Sequence, residues 1–256
     1  MPHVPLSPRA APPSSGLCRR ALLGHGALLF LPLLLLCALP PLFMSNTLRA
    51  PWLQLPYWLS RSVDLPGLGL TLTGLLLISQ RKLALSPPAM LALVAALLAV
   101  LGADFALKSG LKLLTQEPRP YLIWLHEQGL IPAMSHFYGA DQGTRAEQVF
   151  AASQWLALPD WLARHWRHEV NYAFPSGHTI AAMSLAQFFG LLWLARAPRL
   201  AWLLPLWALA VALSRLLLGM HWPRDLLASA LLGGLTALPA ACWWLRRHPL
   251  VARAAQ

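Results

Sequence analysis

Acidic residues are scarce in this chain of 256 residues, which has nine Asp and Glu against 20 Lys and Arg. Charged residues make up 11% of the sequence and hydrophobic residues 57%, whereas an ordinary soluble domain has about 25% and 45–50%. This composition excludes a disordered protein and a soluble enzyme of usual make-up. The apolar excess instead predicts an integral membrane protein that crosses the bilayer several times.

Cysteine is also rare, with only Cys18, Cys37 and Cys242 in the chain. Their spacing matches no metal motif, and two of the three lie inside apolar runs. We therefore expect neither a disulfide framework nor a zinc site.

Six apolar runs approach the roughly 20 residues of helix that cross a bilayer core. They are residues 21–44, 65–79, 89–107, 179–195, 200–218 and 226–245. We predict an all-α, polytopic membrane protein of six transmembrane helices, forming a single membrane-embedded domain over residues 1–256. The first run is too long for a cleaved signal peptide and reads as an uncleaved span. Residues 1–17, rich in Pro and Ser, are expected to be a disordered tail.

The positive charges predict the orientation of these spans. If the N-terminus is inside, the inside segments contain ten cations and no acidic residue, and the C-terminus is inside too. These cations are Arg9, Arg19, Arg20, Arg81, Lys82, Arg196, Arg199, Arg246, Arg247 and Arg253. The other ten Lys and Arg lie in spans or outside, so the basic excess follows the topology and does not indicate a nucleic-acid partner.

A long polar region over residues 108–178 connects the third and fourth runs and lies outside by this topology. A connection of this length is typically functional or has structure of its own. Residues 160–167 have the pattern of a short amphipathic helix that lies on the bilayer.

Polar residues near the ends of the runs form three clusters. The first is Lys112 with Arg119-Pro120, the second is Pro175-Ser176-Gly177-His178, and the third is Ser214-Arg215 with His221 and Asp225. No span separates the first cluster from the second, and two spans separate the second from the third. All three therefore emerge on one face of the membrane and are expected to form one site.

The residue types in these clusters indicate phosphate chemistry. Lys112, Arg119 and Arg215 are three cations whose one acidic neighbour in sequence is Glu117, and Arg offers a planar fork suited to phosphate. Ser176 and Gly177 come just before the fourth run, where the free N–H groups of a helix N-terminus favour an anion. The sequence therefore predicts a phosphate-binding site.

Two histidines and an aspartate supply reactive groups beside the cations. Asp225 follows His221 by four residues, so it can reach back in the first helical turn and orient the imidazole. His221 is then a candidate nucleophile at phosphorus, and His178 a candidate general acid toward the leaving oxygen.

Other polar residues are assigned to structural roles. His165 and His168 have a spacing that could hold a metal on one helix face, but no third ligand is evident, so a solvated interfacial helix is the favoured interpretation. Asp104 is expected to pair with Lys108, four residues later.

The three clusters resemble the signature of the type 2 phosphatidic acid phosphatase superfamily, K-x6-R-P, P-S-G-H and S-R-x5-H-x3-D, without departure at any position. The stretches 116–120, 174–179 and 214–227 are closer still to bacterial members that act on phosphatidylglycerol phosphate. The resemblance covers residues 104–230, and the first two spans match mainly in pattern.

The resemblance implies a metal-independent lipid phosphatase of the bacterial inner membrane, without a cofactor and with its site on the periplasmic face. It implies that His221 forms a phosphohistidine with help from Asp225, and that His178 protonates the leaving group. The phosphoryl oxygens would then be held by Lys112, Arg119, Ser176, Gly177 and Arg215. The expected partners are lipid phosphates and the bilayer, with no nucleic acid and no obligatory protein.

The sequence does not decide which lipid phosphate is the substrate. Phosphatidylglycerol phosphate is expected, and undecaprenyl pyrophosphate is the main alternative; phosphatidate, lysophosphatidate and diacylglycerol pyrophosphate are further possibilities from the resemblance. A non-catalytic lipid phosphate binder or transporter is the alternative from another class. It would be expected to lack His221, Asp225 or His178, and all three are present.

Overall fold

A computed structural model of the chain describes residues 15–38, 43 and 45–248. Within these residues all regular structure is helical, with no strand, which confirms the predicted all-α class. The helices are α1 (Ser15–Cys37), α2 (Gln54–Arg61), α3 (Leu65–Leu83), α4 (Pro87–Thr115), α5 (Pro120–Glu127), α6 (Met134–Gly139), α7 (Gln142–Trp155), α8 (Asp160–His168), α9 (Gly177–Trp193), α10 (Pro198–Leu217) and α11 (Pro223–Arg247). Two 3-10 turns, Ser45–Thr47 and Pro51–Leu53, precede α2. Residues 1–14, most of the expected tail, lie outside the described residues.

Each predicted apolar run coincides with a helix: α1, α3, α4, α9, α10 and α11. Three described stretches are long and apolar enough to cross a membrane, namely Pro87–Glu127, Pro198–Leu217 and Pro223–Arg247. A fourth arises if Pro51–Arg61 and Leu65–Leu83, bent by 64° at their junction, are counted as one span. Parts of the first run, residues 39–42 and 44, lie outside the described residues. The number of six spans therefore stays a prediction.

Proline and serine define where the long helices begin. α4, α10 and α11 start at a proline, whose fixed φ suits the first helical position and whose missing N–H costs nothing there. α9 starts after Ser176, whose side chain accepts a hydrogen bond from the Thr179 N–H and caps the helix. These boundaries place the motif residues at helix ends on the same side of the bundle.

The centre of the bundle is α9, most of whose side chains are buried between α10 and α11. Gly233 of α11 allows close packing, because a Cβ at this position would lie 2.6 Å from the Ile180 carbonyl oxygen. Asp104 is also buried here and accepts a 2.6 Å hydrogen bond from the Thr236 hydroxyl. The expected pairing of Asp104 with Lys108 is wrong: Lys108 instead lies over the Phe105 ring, 5.0 Å from its centroid.

The region between α4 and α9 has a hydrophobic core of its own. Helices α5 to α8 pack around Trp166, which is fully buried and stacks on Tyr121 with ring centroids 4.5 Å apart. The Trp166 indole N–H donates to the Leu218 carbonyl at the end of α10, which joins this core to the bundle. The helix predicted at residues 160–167 is present as α8, but its apolar face packs inside this core, with Leu162 and Trp166 fully buried, and is not free to lie on a bilayer. This region is thus a compact helical layer that closes over one end of the bundle.

Candidate active site

The three sequence clusters meet where the helical layer rests on the bundle. Arg119 precedes α5, Arg215 lies in the last turn of α10, and His178 lies in the first turn of α9. His221 is in the loop between α10 and α11, and Asp225 is in the first turn of α11. Glu169 and direct side-chain contacts connect all five residues.

Glu169, directly after α8, joins the two arginines. Its Oε2 accepts from Arg119 at 2.7 Å, and its Oε1 accepts from Arg215 at 3.0 Å. The Arg119 and Arg215 side chains are almost completely buried, with 3% and 0% exposure. Two guanidinium groups and one carboxylate leave a net positive charge, which suits a phosphate dianion. The Arg215 Nε is buried and lacks a hydrogen-bond partner within the described part of the chain, so one donor of this guanidinium is unsatisfied.

The electrostatics of this cluster keep Glu169 ionised. Burial alone would raise the pKa of Glu169, but Arg119 and Arg215, with the nearby His178, hold that pKa well below its ordinary value. His165 of α8 lies on the other side of Arg215, with its Nε2 3.3 Å from a guanidinium nitrogen. Burial, with Arg215 as the second cause, lowers the pKa of His165 to about 3, so this imidazole is neutral.

His221 lies between Arg119 and Asp225. Its Nε2 is 3.4 Å from an Arg119 nitrogen, and its Nδ1 is 3.4 Å from Asp225 Oδ2. A guanidinium only donates, so the lone pair of Nε2 faces Arg119 and Nδ1 carries the hydrogen toward Asp225. The Nδ1 contact is long, as catalytic hydrogen bonds often are until a substrate binds. Asp225 is itself oriented by the Trp222 N–H, which donates to Oδ2 at 3.0 Å.

The surroundings of His221 favour the neutral imidazole. Burial, followed by the positive charges of Arg119, Arg215 and Lys112, lowers the pKa of His221 well below its ordinary value. The neutral imidazole has a lone pair on Nε2 that can attack phosphorus, whereas the imidazolium has none.

His178 faces the same cluster from the N-terminus of α9. Its Nδ1 is 4.0 Å from Glu169 Oε1, the oxygen that binds Arg215. Its Nε2 is 2.5 Å from Oδ1 of Asp64, in the bend between α2 and α3. The structure therefore brings His178 beside the two arginines and adds an acidic partner that the motifs do not contain.

Lys112 and Arg119 both hold the backbone of the segment after α8. The Lys112 ammonium donates to the carbonyl oxygens of Tyr172 and, at 3.2 Å, Ala173. Arg119 Nε donates to the Asn171 carbonyl at 2.7 Å. The two cations thus hold in place the backbone that leads into the Pro-Ser-Gly-His motif, and they also supply positive charge.

Ser176 and Gly177 shape the start of α9. Ser176 is fully buried; its N–H donates to Ser229 Oγ at 2.8 Å, and its hydroxyl oxygen accepts from Thr179. A Cβ on Gly177 would lie 2.6 Å from Cδ of Lys108, so the absence of a side chain lets that lysine pass close to the backbone. Among the described residues the Ser176 side chain forms its hydrogen bonds with Thr179 and none with Arg119, Arg215 or His221, so the serine hydroxyl is a helix cap here.

Several site partners are absent from the sequence clusters. Glu169, Asp64 and His165 reach the site, and Ser60 of α2 accepts a 2.5 Å hydrogen bond from Arg215. Glu117, the acidic neighbour of Arg119 in sequence, pairs with Arg224 in the structure. One feature of the sequence could have pointed to Asp64: it is the sole acidic residue among the first 103.

Asp64, Glu169 and His178 have the spacing of a three-ligand metal site, with one ligand atom of each within 4.8 Å of the others. Both oxygens of Glu169 already accept from arginines, and those cations would repel a metal ion. The ion-pair network therefore accounts for their proximity. His165 and His168 form no such site, because His165 is buried against Arg215 while His168 is exposed.

Part of this chain is similar to several known proteins. The chain is 42% identical over 145 residues to the phosphatidylglycerophosphatase B of Escherichia coli (strain K12), which covers 55% of each chain. It is 39% identical over 137 residues to the protein of the same name in Haemophilus influenzae, covering 51% of this chain and 56% of that one. A third relative, the bacitracin transport permease protein BcrC of Bacillus licheniformis, is 42% identical over 71 residues, or 28% of this chain and 33% of that one. The chain thus spans about half the length of the phosphatidylglycerophosphatase B proteins it matches.

The PAP2 superfamily matches residues 91–249, which is more than half of the chain and includes all three clusters. This match confirms the resemblance indicated by the motifs. The chain therefore belongs to the PAP2 superfamily.

Proposed function

We propose that this protein is a membrane lipid phosphatase that converts phosphatidylglycerol phosphate to phosphatidylglycerol. The observation that carries the proposal is the meeting of Arg119, Arg215, His178 and His221 around Glu169. Two buried cations next to a neutral imidazole and a second histidine suit transfer of a phosphoryl group to nitrogen. The names of the two phosphatidylglycerophosphatase B relatives support the substrate class.

In the first step of the proposed reaction, Nε2 of His221 attacks phosphorus. A P–N bond forms and the P–O bond to the glycerol oxygen breaks, with its electron pair remaining on that oxygen. His178 donates a proton to the oxygen, and the lipid alcohol leaves. Arg119 and Arg215 stabilise the charge that spreads over the phosphoryl oxygens, and Asp225 stabilises the positive charge that develops on His221.

In the second step, water attacks the phosphohistidine. His178, now neutral, accepts a proton from the water, the P–N bond breaks, and inorganic phosphate is released. Ser176 and Gly177 contribute through the N-terminus of α9, whose helix dipole favours the anion, and Lys112 adds a further positive charge. Every step uses side chains of this chain, without a metal or cofactor.

The proposed site binds the phosphoryl group of its substrate, so we expect it to hydrolyse a range of lipid phosphates. Undecaprenyl pyrophosphate is the main alternative physiological substrate, with phosphatidate, lysophosphatidate and diacylglycerol pyrophosphate as lesser ones. The test is a competition assay in which purified protein receives phosphatidylglycerol phosphate and undecaprenyl pyrophosphate in the same micelles. Faster phosphate release from the first lipid supports the proposal, and faster release from the second favours the alternative.

A transport role is the second candidate, and the similarity to a protein named bacitracin transport permease favours testing it. Phosphate release by purified protein in detergent micelles, where there are no two compartments, distinguishes catalysis from transport. No release, together with flux of a lipid phosphate across vesicle membranes, would support the transporter.

We further propose six spans in a bacterial inner membrane, with both termini in the cytoplasm and the site on the periplasmic face. The match to the Escherichia coli relative and the ten cations on one side support this arrangement. In a cysteine-free background, a cysteine at exposed Gln142 should react with an impermeant reagent added outside. A cysteine at exposed Arg81 should react only after permeabilisation, and the reverse pattern would overturn the topology.

A further inference from the structure

The contact between Asp64 and His178 joins the two halves of the chain at the site. Asp64 Oδ1 lies 2.5 Å from His178 Nε2, although 114 residues separate the two. Both side chains are largely buried, with 20% and 15% exposure. An ionised carboxylate only accepts hydrogen bonds, so Nε2 of His178 carries the hydrogen of this contact.

We propose that Asp64 is the positioning residue for His178: it binds Nε2, turns Nδ1 toward the phosphoryl site, and stabilises the imidazolium that protonates the leaving oxygen. The proposal rests on the proposed function. The other ring nitrogen of His178 supports this role. Its Nδ1 is 4.0 Å from Glu169 Oε1, the oxygen that accepts a 3.0 Å hydrogen bond from Arg215. The free nitrogen of His178 thus faces the arginines that would hold the phosphate.

The bend that carries Asp64 is built to keep a fixed position. Thr71 of α3 donates to the Ser62 carbonyl at 2.8 Å, and Trp207 of α10 donates to the Ser62 hydroxyl at 3.2 Å. Gly67 allows α3 to fold back onto this bend, because a Cβ there would lie 1.8 Å from the Arg61 carbonyl oxygen. The second Asp64 oxygen is held by Arg61 at 3.2 Å. Two hydrogen bonds to Ser62 therefore hold the bend, and Arg61 orients the Asp64 carboxylate itself.

The charges around His178 give Asp64 its chemical role. Arg215 of α10, on the phosphoryl side, opposes a positive charge on the imidazole, as does burial. Glu169 and Asp64 are the two carboxylates that face the ring, and Glu169 is shared with both arginines. The adjacent Asp64 carboxylate therefore offsets the cost of the imidazolium most directly. When Nδ1 gives its proton to the lipid oxygen, the ring becomes neutral and keeps its Nε2–H bond to Asp64.

The leaving group of the substrate tests this role, because only a poor leaving group needs a proton. In the full-length Asp64→Asn variant, the single-turnover rate of the first step, release of the lipid alcohol from phosphatidate, is expected to fall by about 10²-fold, since general acids contribute typically 10²–10⁴-fold. On p-nitrophenyl phosphate, whose phenolate leaves without a proton, the single-turnover rate of phenolate release should change by less than about threefold. His178→Ala should show the same difference in this first step, whereas the second step, in which His178 accepts a proton from water, should slow equally for both substrates.

Asp160→Asn removes an exposed acid outside the site and serves as the matched control. Equal losses on both substrates with Asp64→Asn would mean a general structural role and would overturn the proposal. If that variant does not fold, Asp64→Glu is the second test, because it keeps the charge on a longer side chain. It should slow the release of the lipid alcohol from phosphatidate and leave the release of p-nitrophenolate unchanged. A wild-type protein that hydrolyses p-nitrophenyl phosphate and no lipid phosphate would refute the proposed function, an outcome distinct from equal losses in Asp64→Asn.

Discussion

Glu169 accepts a 2.7 Å hydrogen bond from Arg119, 50 residues earlier in the chain and in the same helical layer. Its other oxygen accepts from Arg215 of α10, so one carboxylate links the layer to the bundle and sets the separation of two buried guanidinium groups. The ability of this site to bind a phosphate in a defined orientation depends on that separation.

Glu169→Gln should therefore change binding and turnover in opposite directions. Loss of the negative charge strengthens the attraction of Arg119 and Arg215 for anions, so inorganic phosphate should inhibit at lower concentration. The arginines would lose their shared anchor, and kcat should fall by about 10–10²-fold, because displacements of about 1 Å have effects of that size. Steady-state kinetics with inorganic phosphate as inhibitor measure both the inhibition constant and kcat. An unchanged kcat would contradict the bridging role of Glu169.

Arg119→Lys tests whether shape or charge matters at this position. Arg119 uses separate nitrogens for Asn171, Met220 and Glu169, which a single ammonium cannot replace. We expect kcat/KM for the lipid substrate to fall at least about 10²-fold, as on removal of one fixed oxyanion donor. Arg164→Lys, at an exposed position of α8, is the matched control. Near-normal activity of Arg119→Lys would show that charge alone suffices.

Ser229→Ala should weaken the fold at the start of α9. Ser229 accepts from the buried Ser176 N–H and donates to the Asp225 carbonyl at 2.5 Å. Without the hydroxyl, that N–H is buried and unpaired, at a cost of about 1–3 kcal/mol. Thermal unfolding in detergent should show a lower midpoint, together with reduced kcat from displacement of the Pro-Ser-Gly-His segment. Ser135→Ala, at an exposed position, provides the control.

The protonation of His221 gives a pH-dependent prediction. Burial and the cations around it lower its pKa, so the folded protein should keep a neutral His221 at pH values where a free histidine is half protonated, about 6.5. Because the unfolded chain binds that proton and the folded chain does not, this group makes folding less favourable as pH falls below 6.5. Nitrogen NMR of labelled histidine, assigned with His221→Gln, reports the titration. A midpoint at or above 6.5 would contradict the site electrostatics.

Local sequence patterns predicted much of this protein. The apolar runs identified the helices that contain the core, and prolines such as Pro223 mark where several begin. Motif spacing also selected His221 and Asp225, which lie four residues apart across the start of α11 and approach within 3.4 Å in the structure. Short-range geometry of this kind follows directly from helix periodicity.

Long-range partners could not be predicted in the same way. Glu169 and Asp64 carry no motif, and their contacts to Arg119 and His178 span 50 and 114 residues. Those contacts depend on how α8 packs over the bundle and on the 64° bend between α2 and α3. No local sequence pattern predicts either feature. Asp104 illustrates the same limit, since a partner on α11 replaced the neighbour four residues away.

Rapid-quench analysis with phosphatidylglycerol phosphate labelled in its terminal phosphate tests the central claim most directly. The wild-type protein should form enzyme-bound, acid-labile phosphate before inorganic phosphate appears, and the bound species should decay at a rate compatible with turnover. His221→Ala should form no bound phosphate and release none, while remaining folded by thermal unfolding. Turnover by His221→Ala at the wild-type rate, or turnover of the wild type without any bound phosphate, would contradict His221 as the nucleophile.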